Sequence, residues 1–240
     1  MSAPPEVDYP ESDGLPMADN TVQYEWIVTI KGGLDALFGD DPDVFVAGNL
    51  FWYPVEGDNR TVLAPDTLVA FGRPKDGRRG SYRQWEEGGI APQVVFEVRS
   101  PNNDNREMLA KRAFYERFGV EEYYEFDPDA EPVTLRGWIR QGQSFAEIRE
   151  TSGWTSPRLG IRFELGDDLT IFRPDGRPFE TFRELQRRAE LAERNAKQAE
   201  RNAEQAERNA EQAERRFDEE RLRAERLAAK LRALGLDPDE

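Results

Sequence analysis

The chain has 240 residues, with 33 Lys and Arg against 48 Asp and Glu, a formal charge of −15, and neither His nor Cys. The lack of cysteine excludes disulfides, thiolate zinc sites and cysteine nucleophiles, and the lack of histidine excludes imidazole catalysis and imidazole metal ligands. Chemistry is left to carboxylates, lysine, hydroxyls and a hard, oxygen-seeking cation; the acidity argues against indiscriminate coating of nucleic acid, but not against a local basic patch.

In chain order, residues 1–18 read as an extended arm. "MSAPPEVDYPESDGLP" is acidic and proline-rich, without the basic and apolar regions of a signal peptide. No run approaches the ~18 apolar residues of a membrane span, so a cytoplasmic protein without a membrane partner is expected. Residues 19–178 are expected to form the folded domain. A helix at about 19–38, capped by Asp19 or Asn20, places Tyr24, Ile27, Ile30, Leu34 and Phe38 on an inward stripe, with Gln23 at its edge and Glu25 towards solvent. Gly32-Gly33 weakens its middle. Strand-like runs follow at 43–48, 49–54, 67–72 and 93–98, then a helix at about 104–118, a strand at 121–126, and short β segments over 133–172. Three strands, a helix and another strand, opened by a helix, predict an α/β fold: a mixed sheet flanked by helices, with extra β hairpins.

From about residue 179 the composition collapses into Glu, Arg, Ala, Gln and Asn. "AERNAKQAERNAEQAERNAEQAERRFDE" (192–219) repeats every seven residues. A seam runs from Phe182 and Leu185 through the alanines to Phe217, Leu227, Leu231 and Leu234, with alternating spacings of three and four as in a coiled coil. One long helix over 179–235 is predicted, followed by a short tail at 236–240. The Leu and Phe at its ends suggest a homodimer or a coiled-coil partner. A solvated single-helix spacer competes, because an Ala seam lacks most of the ~1.5–3 kcal/mol that each buried Leu supplies.

Chemistry concentrates in "PQVVFEVRSP" (92–101). Period two puts Val95, Glu97 and Arg99 on one face and Val94, Phe96 and Val98 on the other. If both faces are buried, Glu97 costs several kcal/mol unless it is paired or binds a metal; a solvated face, or a simple ion pair with Arg99, is the plainer alternative. Asp66 precedes the apolar strand "TLVAF", which puts a second carboxylate at a sheet end, where α/β sites gather. In "DNREMLAKRAFYERFG", counting about 100° per residue, Met108, Phe114, Tyr115 and Phe118 lie within about 60° of Lys111. Lys111 is thus aimed at the sheet, unless its stem snorkels to water. Two carboxylates holding Mg²⁺ with a lysine facing them can hydrolyse phosphodiesters without histidine. After the Asp66 strand, "GRPKDGRRGSYRQW" (72–85) offers Arg73, Lys75, Arg78, Arg79 and Arg83 as a nucleic-acid-binding patch, or as a solvated loop.

"APDTLVAFG", "VVFEVRSPNN", "KRAFYERFGVEEYYEFDP" and the heptad tail resemble the Uma-type putative restriction endonuclease family of the PD-(D/E)xK nuclease superfamily. The resemblance covers roughly residues 9–178. It implies a restriction-endonuclease-like fold and an endonuclease dependent on Mg²⁺ or Mn²⁺ that acts on DNA. Carried over, Asp66 and Glu97 are metal ligands, with the Val98 carbonyl as a third oxygen, and Lys111 is the catalytic lysine. Two positions depart from the pattern. Arg99 stands where the superfamily usually has its lysine, and it cannot serve as a base. Gln23 stands near a point where relatives often have histidine. Gln23, Arg99 and Tyr115 are therefore accessory candidates. The competing functional readings are an inactive nuclease-like module that binds nucleic acid or acts as a scaffold through the coil, and a carboxylate-pair hydrolase acting on sugars, which assigns Lys111 no role.

Overall fold

A computed structural model describes residues 7–12, 14 and 18–233, with side chains described as far as residue 230. The ends of the expected arm and the tail at 236–240 lie outside the described residues, as do the side chain of Leu231 and all of Leu234. The chain divides into two compact units, Met1–Phe182 and Arg183–Glu240.

The first unit opens with α1 (Thr21–Leu37), which Asn20 caps by accepting the Gln23 N–H at 2.8 Å. Then come β1 (Val44–Ala47), β2 (Trp52–Tyr53), β3 (Thr67–Phe71), β4 (Tyr82–Arg83) and β5 (Val94–Val98). Next are α2 (Asn105–Phe118), β6 (Glu122–Asp127), β7 (Thr134–Gln141), β8 (Ser144–Glu147), β9 (Arg162–Leu165) and β10 (Leu169–Phe172). Six strands form one mixed sheet in the order β1-β3-β5-β6-β7-β8. Only the β5–β6 pair is parallel, because α2 carries the chain back between them. The expected strand at 49–54 shrinks to β2, which leaves the main sheet and pairs in parallel with β4.

The sheet is covered on both faces. Ile27, Ile30 and Leu34 of α1 join Val94, Phe96 and Val98 of β5 in one apolar cluster, together with Phe163 and Ile171 of the β9–β10 hairpin. On the other face Val95 packs with Trp52, Leu68, Tyr115, Tyr123 and Trp138. Every residue of β5 is buried. This is the pattern of a central strand, and it is why Glu97 has no route to water along its own strand.

Two helix details depart from the pattern read in the sequence. Tyr24 is 50% exposed, whereas Gln23 is buried. The first turn of α1 faces the polar end of β5, so an amide takes the inward position and the phenol turns out. Gly33 is a close-approach site: the Phe179 ring occupies the space that a Cβ would need. The glycine pair therefore costs helix propensity but lets the chain after β10 close over α1.

The second unit is α3 (Phe182–Ala233), a helix of 52 residues, about 78 Å long at 1.5 Å per residue. Its described side chains are nearly all exposed, among them Phe217 and Leu227. Ion pairs spaced i,i+4, such as Glu190–Arg194, Glu193–Lys197 and Glu204–Arg208, run along it with Glu on the N-terminal side, the favourable order. No described helix is long and apolar enough to cross a membrane.

Gly33→Ala forces the Phe179 ring aside and is expected to lower stability by about 1–3 kcal/mol. Urea unfolding followed by tryptophan fluorescence measures this, and an unchanged midpoint would show that the contact yields freely.

Candidate active site

Four elements converge at the end of β5. From β5, Glu97 projects towards α2 and is only 1% exposed. From α2, the Lys111 ammonium donates to Glu97 Oε2 at 2.9 Å, and the Tyr115 hydroxyl donates to Glu97 Oε1. Residues 111 and 115 are one helical turn apart, so both reach the same carboxylate. Asp66, at the entry to β3, accepts the Val98 N–H through Oδ2 at 2.7 Å. From α1, the Gln23 amide donates to the Val98 carbonyl at 2.8 Å, and its own oxygen accepts the Asp19 N–H at 2.8 Å. The local sequence explains each placement. Antiparallel pairing with β5 sets Thr67 opposite Phe96, which brings the preceding Asp66 to the level of Glu97 and Val98. Asp104 caps α2 by accepting the Glu107 N–H and so fixes where Lys111 starts.

Burial and the nearby Glu97 charge push the Asp66 carboxyl well above the usual carboxylate range, against the Val98 N–H and Lys111, which pull the other way. Burial alone would lower the Lys111 ammonium, but the charges of Glu97, Asp66 and Glu107 outweigh it and raise its pKa. Lys111 is therefore held as an ammonium and is a poor general base. Burial first, and then Glu97, keep Tyr115 a neutral phenol and hence a donor.

Asp66, Glu97, Val98, Lys111, Tyr115 and Gln23 thus meet in one place. Arg99 does not join them: it turns to β6, facing Glu125 at 3.4 Å and Asp127 at 3.7 Å, and donates to the Asn103 carbonyl and the Asn105 side chain. The basic loop is largely tied down. Arg79 pairs with Glu87 at 2.6 Å and lies over Phe45, Arg73 also faces Glu87, and Arg83 pairs with Glu86. Lys75 donates to the Phe38 and Gly39 carbonyls at the end of α1. Of the five, only Arg78 has no ion pair or hydrogen bond among the described residues.

Sequence reasoning passed over Glu125. It lies beside Glu97 in the β5–β6 register, is 4% exposed, and has its carboxyl raised by burial against the pull of Arg99. Period two in "EEYYEF" sets it on the same face as Tyr123 and was the available signal. Glu122, on the opposite face, is fully satisfied by Tyr124, Ser156 and the Arg158 N–H and anchors the 154–160 turn.

The donors at the site are all hard oxygens: the Asp66 and Glu97 carboxylates and the Val98 carbonyl. They fit Mg²⁺ or Mn²⁺, which make do with one or two carboxylates and keep several waters. Among the described residues no group of three or more Asp, Glu, His or Cys is arranged to hold a metal.

The Uma2 family model, described as a putative restriction endonuclease, matches residues 20–165. The chain belongs to this family. The matched stretch contains Gln23, Asp66, Glu97 and Lys111 and excludes α3. Membership in Uma2 makes the chain a nuclease-type protein, of a restriction-endonuclease-like class that generally uses divalent metals. A solved structure from Anabaena variabilis ATCC 29413, described as a putative nuclease belonging to DUF820, is similar at 15% identity and a TM-score of 0.42, over 57% of this chain and 72% of that one. No curated protein matches.

Because the folded Asp66 pKa is raised, the stability it contributes is complete below the unfolded value of about 3.9 and is lost as pH rises through the folded value. Asp66→Asn keeps an acceptor for Val98 and removes this loss. Without divalent metal it is expected to melt higher than the parent at pH 8 and equally near pH 3. Thermal melts across pH test this; a lower melting temperature for the variant at pH 8 would contradict the burial argument.

Proposed function

We propose that the chain is a metal-dependent endonuclease that hydrolyses DNA phosphodiesters, with Asp66 and Glu97 holding Mg²⁺ or Mn²⁺. The observation that carries this reading is the 2.9 Å contact between the Lys111 ammonium and Glu97 beside a second buried carboxylate. A buried acid pair with one cation is an unstable arrangement for a purely structural core, and it suits a site that receives a further positive charge.

When bound, the metal ion supplies acidification of water and neutralisation of phosphate charge. The remaining work belongs to the chain. Lys111, whose side chain is 20% exposed, presents its ammonium to the phosphate oxygens where negative charge grows. Tyr115 holds the Glu97 carboxylate in one orientation, and Gln23 fixes the end of β5 through the Val98 carbonyl. Asp66 gives up its proton when a cation approaches, so affinity for the metal rises with pH. Arg99, engaged by Glu125 and Asp127, steadies β6 rather than replacing the lysine.

A second reading, a non-catalytic nucleic-acid-binding scaffold, draws on a specific feature: both Glu97 oxygens and the Val98 carbonyl already have protein partners. Titration separates the two. With DNA as substrate, the parent should cleave only with Mg²⁺ or Mn²⁺ and should gain thermal stability from either ion. Asp66→Asn should lose cleavage by at least about a hundredfold and show no such gain. DNA binding without metal binding or turnover would favour the scaffold. Lys111→Ala is a poorer test, because it strands Glu97 in the core at a cost on the order of 3–5 kcal/mol.

Self-association through α3 belongs to the same proposal, supported by the exposed Phe182, Leu185, Phe217 and Leu227 on its seam. Light scattering should give about twice the 27.6 kDa of one chain, and the double change Leu185→Asp and Leu227→Asp should give a monomer of unchanged helicity. A parent that is monomeric at high concentration would leave α3 a spacer.

A further inference from the structure

Between the segment 60–63 and one flank of α2 lies an open groove of about 500 Å³. Arg60, Glu107, Lys111, Phe114, Arg117 and Phe118 line it. We infer that this groove is the entry track for an unpaired DNA strand, so that the substrate is single-stranded DNA or a frayed end rather than an intact duplex. This rests on the nuclease reading above and specifies its substrate.

The groove is contiguous with the site, because Lys111 belongs to both: its ammonium touches Glu97, and its exposed part faces the groove. The charge is complementary to a phosphate backbone. Lys111 is matched by Glu97 at 2.9 Å and Glu107 at 3.6 Å, which leaves Arg60 and Arg117 as the charges the groove wall offers to a phosphate. In a chain of net charge −15, a groove wall with this balance runs against the general trend. Arg60 and Arg117 are exposed, and neither has an ion pair among the described residues. The arginines of the 72–85 loop, by contrast, are mostly paired with Glu86 and Glu87. Lys111 and Arg117 are six positions apart, about 9 Å along the helix, so the cations are spread along the track.

The apolar wall decides the strandedness. Phe114 and Phe118 are half-buried, their rings 4.7 Å apart, and Phe114 is set edge-on against Trp52 at 5.4 Å. Rings fixed in this way and part-exposed at the groove, between cations, give bases a surface to stack on while the backbone follows the charges. Bases in a duplex already stack on one another and show only their edges in the grooves. An unpaired strand alone offers both base faces and backbone to this wall.

The test uses the full-length protein, Ca²⁺ in place of Mg²⁺ for binding, and fluorescein-labelled DNA as a single strand and as the matching blunt duplex. Anisotropy should show the single strand bound at least about tenfold more tightly. Arg60→Glu and Arg117→Glu, both at exposed positions, should each weaken it by about tenfold and raise KM for Mg²⁺-dependent cleavage more than they lower kcat. Arg149→Glu, exposed and outside the groove, makes the same charge change and should leave both unchanged. Equal or tighter duplex binding, or equal losses from Arg149→Glu and Arg117→Glu, overturns the track. If the groove variants behave as the parent while Asp66→Asn abolishes cleavage, the track fails and the nuclease reading stands; if the parent cleaves neither DNA with Mg²⁺ or Mn²⁺, the nuclease reading itself has failed.

Discussion

A carboxylate inside a sheet covered on both faces is the constraint around which this domain is organised. Glu97 sits on the central strand with almost no access to water, and a buried charge without partners costs several kcal/mol. The fold answers from one helix: α2 delivers the Lys111 ammonium and the Tyr115 hydroxyl, one turn apart, to opposite oxygens of the same carboxylate. That requirement fixes the rotation of α2 against the sheet and, through the Asp104 cap, where the helix starts. The stacked Trp52 and Tyr115 rings, 6.3 Å apart, then hold the helix against β2.

The same pairing explains why Asp66 is unsettled. One ammonium cannot balance two buried acids, and the carboxylate with the weaker hold on it is the one pushed towards its neutral form. In the proposed function a dication bound there would relieve the repulsion between the two acids. The stability that this burial costs is sustained by packing elsewhere. On the opposite face, α1 and the β9–β10 hairpin form an ordinary apolar cluster, and Gln23 brings an amide to the Val98 carbonyl at the end of β5.

Much of this was legible in the sequence. The 3.6-residue pattern of α2 was enough to aim Lys111 at the sheet, because no other charged residue sits at the centre of that stripe. The continuous apolar run of β5 marked it as central, which made Glu97 conspicuous. Less was legible at α1, where a stripe drawn through Tyr24 missed that the first turn meets a strand end. The basic loop shows a related limit: a run of arginines shows charge but not its partners, and Glu86 and Glu87, just beyond the loop, pair with Arg73, Arg79 and Arg83.

Local physics is enough for the helices, the strands, the heptad tail and the choice of hard-oxygen chemistry in a chain without His or Cys, because propensity, periodicity and composition act over a few residues. The meeting of Asp66, Glu97 and Lys111 is different. It depends on a crossover that returns β6 parallel to β5 and on an antiparallel register that sets Thr67 opposite Phe96. Only the folded arrangement decides which carboxylate takes the ammonium, which arginines are spoken for, and that a charged groove opens beside Lys111, since these are distances between residues far apart along the chain.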